Sequence, residues 1–462
     1  MDGDVDVWAD DFMNRKPSSD FLTKYILAND HVKVLNVNSS WGSGKTFFLE
    51  RWRAELSKKY VCVLFNAWET DYSAEPLLAL VTCVEQQTKD KLDVTACEAG
   101  RRAVDLGENI LKKAVPLIAK GLVRRYVGVE LDDLFGAESG SDAAESTSKI
   151  VESLIEDQAK TTRHVDEFKA AVVERLKTAA ENNGLQSPAF IFIDELDRCR
   201  PTYAIELLER IKHFFELKDC RFIIASDSKQ LAHSIRAVYG QGFSSERYLN
   251  RFFDAEFNLD NGDIFGLVAN NLPYIQSVQL GVNVAGKVVE EFFNRERVVT
   301  PKKNTVITDL VGFTENELIL VGLCKYFKVE LRELNNYIRQ IKSAADTIGG
   351  NIHFFWLAYL VFFKASKADE YAELWVVGKW KASVISYNER TELITFYFNS
   401  EVSSVGDLAL FYLELLNADR QELVAISQRD SVWKQSIYQE VRNNVPKLRI
   451  YKDVVDLAHR LS

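Results

Sequence analysis

The sequence predicts an α/β protein. A parallel sheet is expected with helices on both faces, a helical insertion between its second and third strands, and a mainly helical C-terminal half. Three observations predict it. Short β-prone apolar runs alternate with amphipathic helical patterns early in the chain, as in a βαβ unit. Two runs, AFIFI at 189–193 and RFIIA at 221–225, are almost continuously apolar, the pattern of strands covered on both faces. Both end in polar residues, Asp194-Glu195 and Ser226-Asp227. These would emerge at the carboxyl edge of the sheet, where such folds bind ligands.

The first element is a helix from about Ser18, where SSDFLTKYIL joins N-cap chemistry to helical apolar spacing. Val32–Val37 (VKVLNV) is the first strand. It meets SSWGSGKT, and FFLERWRAELSKKY then reads as an amphipathic helix. Val61–Phe65 (VCVLF) is the second strand. Residues 75–187 are helical in pattern and form the insertion. Within it, GAESGSDAAESTS at 136–148 has a linker's composition. A helix pattern from Ile150 to about Ala180 stops at Asn183-Gly184. The third and fourth strands follow, with Pro201 opening the helix between them, and Ala255–Leu259 (AEFNL) is a fifth. Residues from about 260 to 370 read as helical, 381–398 as a hairpin around Asn388, and the last 60 as three or four helices. The expected domains are a lead-in (1–30), a core (31–260), a helical lid (261–370) and a C-terminal α+β/helical domain (371–462).

Composition narrows the classes. The 462 residues are 47% apolar and 27% charged, and 28 Phe, 17 Tyr and 8 Trp exclude disorder as the main state. A formal net charge of −10 argues against non-specific coating of nucleic acid. Cys62, Cys83, Cys97, Cys199, Cys220 and Cys324 show no CxxC spacing, which predicts reduced thiols in a cytoplasmic protein. No metal-ligand cluster or serine nucleophile motif competes. The acidic N-terminus lacks a signal peptide's basic and apolar regions. HFFWLAYLVFF at 353–363 falls short of the ~20 residues that span a bilayer, so a buried helix is expected and no transmembrane segment. Ile110–Val123, flanked by Arg101, Arg102, Arg124 and Arg125, is an amphipathic pattern that would serve a solvated helix or an anionic membrane surface.

Gly42-Ser43-Gly44-Lys45-Thr46 is the core of a phosphate-binding Walker A loop. Glycines let backbone N–H groups turn inward around phosphate oxygens, and the following helix points its positive end at them. Lys45 would reach the β- and γ-phosphates and the Thr46 hydroxyl would hold Mg²⁺. The pattern departs from GxxxxGK[ST] at Ser39, where glycine is expected. In FIDELDRC, Asp194 would hold the metal through water and Glu195 would polarise the attacking water. Asp227 would act as a sensor of the γ-phosphate, cap the next helix, or do both.

These residues together resemble the KAP family of P-loop NTPases, within the STAND/AAA-like group that carries an additional strand beside the phosphate loop. The strings that carry the resemblance are WGSGKT (41–46), FNAWE (65–69), FIDELDRCRP (192–201), FIIASDSKQL (222–231) and YLNRFF (248–253). The resemblance covers about residues 10–345 and implies a P-loop NTPase core. It implies ATP or GTP hydrolysis, ATP favoured, with Mg²⁺ and with Trp41 through Thr46 at the nucleotide. Partner proteins in a defence or regulatory complex are implied as well, and with them an oligomer. The setting it implies is bacterial defence against bacteriophage, with nucleic acid reached through the partners. Asn66, Trp68 and Glu69 would position the water or form a structural corner. Arg198 would pair with Asp197 or contact a neighbour's nucleotide. Arg247 and Arg251 are arginine-finger candidates. Arg332 matches a second-sensor position on the lid helix, with Arg339 equally placed. Two rival functions stay open: a nucleic-acid motor or loader, and a nucleotide-dependent scaffold that hardly hydrolyses.

Overall fold

A computed structural model describes residues 6–73, 76–92, 169–212, 217, 219–260, 264–282, 284–286, 288–293, 296–301, 306–307, 312–376, 379, 381, 383–385, 395–398, 401–427, 431–442 and 444–461. The expected linker at 136–148, the pattern at 110–123, the start of the 150–180 helix pattern and Asn388 lie outside these residues. The chain divides into two compact units: residues 1–9, 15–41 and 45–259, and residues 10–14, 42–44 and 260–462.

The first unit is the expected sheet. Its strands are β1 (Val34–Asn38), β2 (Tyr60–Asn66), β3 (Gln186–Asp194), β4 (Cys220–Ser226) and β5 (Ala255–Asn258), all parallel, in the order β2-β3-β4-β1-β5. The additional strand implied by the resemblance is β4, which separates β1 from β3. Strand side chains alternate between faces, and two hydrophobic clusters show that alternation directly. Leu35, Val37, Phe190, Phe192, Ile223 and Ala225 pack on one face beneath α1 (Lys16–Ala28) and α2 (Lys45–Leu56). Val34, Val63, Phe65, Ile191, Ile193, Phe222 and Ile224 pack on the other. There they meet α3 (Pro76–Thr88), the helical residues 169–182 (α4), α5 (Pro201–Lys212) and α6 (Ser228–Tyr239). Runs such as AFIFI are continuous because both faces are covered.

Trp52 of α2 anchors the first face. It is fully buried, meets Phe192 edge-on at 5.7 Å between ring centres, and donates its indole N–H to Thr23 Oγ1 at 2.8 Å. Burial of a large apolar side chain contributes roughly 1.5–3 kcal/mol, and the satisfied N–H avoids the cost of an orphaned donor. The described parts of the insertion, α3 and α4, are helical, and α4 ends before Gly184 at φ +63°.

The second unit is mainly helical, with short strands between its helices. Among the described residues, Val284–Gly286 (β6), Val288–Phe293 (β7), Glu296–Pro301 (β8) and Val306–Ile307 (β9) are strands. These strands interrupt the expected helical stretch from 260 to 370, whose described residues are otherwise mostly helical. β6 and β9 join β10 (Thr395–Phe398) and β11 (Glu401–Ser404) in an antiparallel sheet of order β11-β10-β6-β9. The expected hairpin around Asn388 is displaced: β10 pairs with β11, and residues 383–385 are helical. Phe354–Ser366 is the expected buried helix. Every residue from Phe354 to Phe363 is buried, in a core shared with Leu318–Leu323 and Leu408–Leu416. Among the described residues no helix is long and apolar enough to cross a membrane.

Candidate functional site

The loop between β1 and α2 obeys the chemistry read from its sequence. Gly42 and Gly44 have φ of +70° and +81°, a region costly for residues with a Cβ. Ser39 lies outside that region, so serine replaces glycine there without backbone strain. Its backbone N–H donates to Ser226 O at 3.1 Å, and its hydroxyl to Leu259 O at 3.4 Å. Helix α2 begins at Lys45, which aims the unpaired N–H groups of its first turn and its positive dipole end at the loop. Lys45 is buried. Its ammonium donates to Ser39 O at 2.7 Å and Ser40 O at 3.1 Å, and lies 3.7 Å from Asp197 Oδ2.

Strand β3 delivers the acids. Asp194 is its last residue and is buried. Its carboxylate accepts the Glu195 N–H at 2.8 Å, and the Thr46 hydroxyl is its other donor neighbour. Burial raises the Asp194 carboxyl above its ordinary range, and those two donors oppose the rise. The Thr46 hydroxyl is also 3.3 Å from Glu195 Oε1. Glu195 takes a left-handed conformation, φ +60° and ψ 24°. That turns the chain sharply after the strand and separates the directions of the two acids. Burial, and then the neighbouring Asp194 charge, raise the Glu195 carboxyl; the Arg198 charge opposes them. Lys45, Thr46, Asp194 and Glu195 therefore meet at one sheet edge, although β1 and β3 are not neighbours.

The donor set fits a magnesium ion. A threonine hydroxyl and a carboxylate are hard oxygen ligands, and Mg²⁺ completes its shell with phosphate oxygens and water. Among the described residues no group of three or more His, Cys, Asp or Glu side chains could hold a metal.

The residues beside the acids differ from expectation. Arg198 does not pair with Asp197; its guanidinium Nε meets the Glu195 carboxylate, and its Cζ lies 5.9 Å from the Trp68 ring centre. The 3-10 turn Leu196–Arg198 sends consecutive side chains in different directions. Asp197 instead points inward and takes the Trp41 indole N–H at 2.6 Å and the Asp227 N–H at 3.0 Å on one oxygen. Asn66 forms the corner after β2, accepting from the Trp68 N–H at 3.1 Å and donating to Glu69 at 2.9 Å.

A model of the KAP family P-loop domain matches residues 15–264. The chain belongs to the KAP family of P-loop NTPases. An uncharacterized protein of Methanocaldococcus jannaschii is 26% identical over 180 residues, which is 34% of this chain and 86% of that protein. Membership makes this a P-loop NTPase domain, a type that supports nucleotide binding and hydrolysis in general.

The remaining candidates of the KAP chain are placed as follows. Asp227 acts as a helix cap: its carboxylate accepts the N–H groups of Lys229 at 3.0 Å and Gln230 at 3.2 Å. Asp227→Ala is therefore expected to cost about 1 kcal/mol in urea unfolding, with Asp227→Ser recovering most of it. A mutant as stable as the parent would contradict the capping role. Arg247 and Arg251 are exposed, and neither guanidinium has a hydrogen bond or ion pair among the described residues. Within the second unit the Arg332 stem lies against Gly42: a Cβ there would sit 2.8 Å from Arg332 Cδ. Arg339 bonds Asn336 at 3.3 Å. Sequence reasoning undervalued Asp197. Its only local signal was an acid two residues beyond Glu195, inside a string whose neighbour Arg198 offered a simpler partner.

Proposed function

We propose that this protein hydrolyses ATP with Mg²⁺ and uses the cycle as a conformational switch. One observation carries the reading: Thr46, beside Lys45 on the helix after β1, lies 3.3 Å from Glu195, beside Asp194 at the end of β3, although β4 keeps the two strands apart. In this reading the loop N–H groups orient the phosphates. Lys45 exchanges its Ser39 and Ser40 carbonyl partners for β- and γ-phosphate oxygens. Thr46 and Asp194 are the residues that would hold Mg²⁺, which supplies charge neutralisation on the transferring phosphoryl group. Glu195 turns from Arg198 to the attacking water and accepts its proton. Its raised carboxyl makes it a better base than an exposed glutamate.

The switch's setting follows the family resemblance: a bacterial defence complex with protein partners, within which this chain works as an oligomer. The direct test is phosphate release from ATP and GTP, each with Mg²⁺ and with a chelator. Release from ATP that the chelator stops is expected. Neither release nor calorimetric heat with either nucleotide would sink the proposal. Co-purification of partners from the native host tests the setting.

A further inference from the structure

We infer that Asp197 is a positioning residue that competes with nucleotide for Lys45, so that a nucleotide must take the ammonium from it. This rests on the nucleotide-binding reading above.

The Asp197 side chain is 1% exposed. A carboxylate so buried needs donors around it. A single oxygen, Oδ2, takes the Trp41 indole N–H at 2.6 Å and the Asp227 N–H at 3.0 Å, and lies 3.7 Å from the Lys45 ammonium. Three pieces of chain are tied to the turn after β3 at that atom: the phosphate loop through Trp41, the start of α2 through Lys45, and the junction of β4 with α6. Lys45 in turn faces three protein acceptors: Ser39 O, Ser40 O and the Asp197 carboxylate.

Incoming phosphate oxygens must displace part of that set. The two carbonyls carry only partial charge. The carboxylate carries a full one at short range in a buried setting, so it competes most strongly for the ammonium. It also repels the phosphates directly. An asparagine separates the two duties of this side chain. Its carbonyl oxygen still accepts from Trp41 and from the Asp227 N–H, while the charge facing Lys45 is gone.

The test uses the full-length chain as parent, Asp197→Asn and Asp197→Ala. ATP affinity is measured by calorimetry. The emission of Trp41 in ligand-free protein is isolated by subtracting the spectrum of Trp41→Phe in the same background. Asp197→Asn is expected to bind ATP about tenfold more tightly, with Trp41 emission as in the parent. Asp197→Ala should shift that emission, because the indole loses its acceptor. The inference is overturned if Asp197→Asn binds ATP no more tightly than the parent, or if Asp197→Ala leaves the emission unchanged. Absence of ATP binding in the parent and both variants would remove the nucleotide reading itself, and this inference with it.

Discussion

Lys45→Ala is expected to weaken ATP binding by about 10²–10⁴-fold and to stop turnover with it. A charge-assisted hydrogen bond to phosphate is worth roughly 1.5–3 kcal/mol, and the ammonium has protons for two such bonds. Two of them correspond to the stated range in affinity. The same change has a structural consequence. It leaves the buried Asp197 carboxylate with hydrogen-bond donors but no cation, and Ser39 O and Ser40 O without their lysine donor. Stability is therefore expected to fall by about 1–3 kcal/mol even without nucleotide. Calorimetry with ATP and urea unfolding of the ligand-free protein check the two halves separately. Unchanged affinity would mean that Lys45 does not meet phosphate.

Glu195→Gln should separate binding from chemistry. The amide keeps the size of the side chain and an acceptor for Thr46, so ATP affinity should stay within a few-fold of the parent. It cannot take a proton from water, so turnover should fall by about 10²–10⁴-fold, the range credited to a positioned general base. The pH profile gives an independent reading. Burial and Asp194 raise the Glu195 carboxyl, so protonation sets in at a higher pH than for an exposed glutamate. Parental turnover should then decline on acidification through that raised value, as the base is lost. Glu195→Gln should lack this acid limb. Single-turnover phosphate release across pH decides it: equal, active rates would remove Glu195 as the base, and an equally idle parent and mutant would leave a nucleotide-dependent scaffold as the better description.

The site's main parts were legible because each has a local signature. Two glycines at positive φ and a lysine opening a helix lie within a few residues of one another, and the acids close a contiguous apolar run of their own. The side chains around them were not legible in the same way. Asp197 and Arg198 are neighbours in sequence, and opposite charges one residue apart suggest a pair. The 3-10 turn sends them apart, one to Trp41 and the Asp227 N–H, the other to Glu195. Asp227 was open to a sensor role, a cap, or both; two N–H groups of α6 meet one oxygen of its carboxylate as the cap.

The C-terminal half shows the same division. Helix Phe354–Ser366 was readable as buried because its apolar run is too short for a bilayer and too continuous for a solvated face. Strand β6 was missed because antiparallel partners can be far apart in sequence. β6 at 284–286 finds β10 at 395–398, and no local period reports such a pairing.

By itself, then, the chain's residue order determined the parallel core, the phosphate loop, the two acids after β3 and the buried C-terminal helix. Those follow from hydrophobic period, backbone permissiveness and length, all properties of contiguous residues. Tertiary structure alone decided that β4 lies between β1 and β3 and that Asp197 gathers Trp41, Lys45 and the Asp227 N–H on one oxygen. It also decided which distant strands close the C-terminal sheet. Those outcomes depend on which buried polar group finds which partner across the fold, and desolvation enforces that choice only when the whole core has packed.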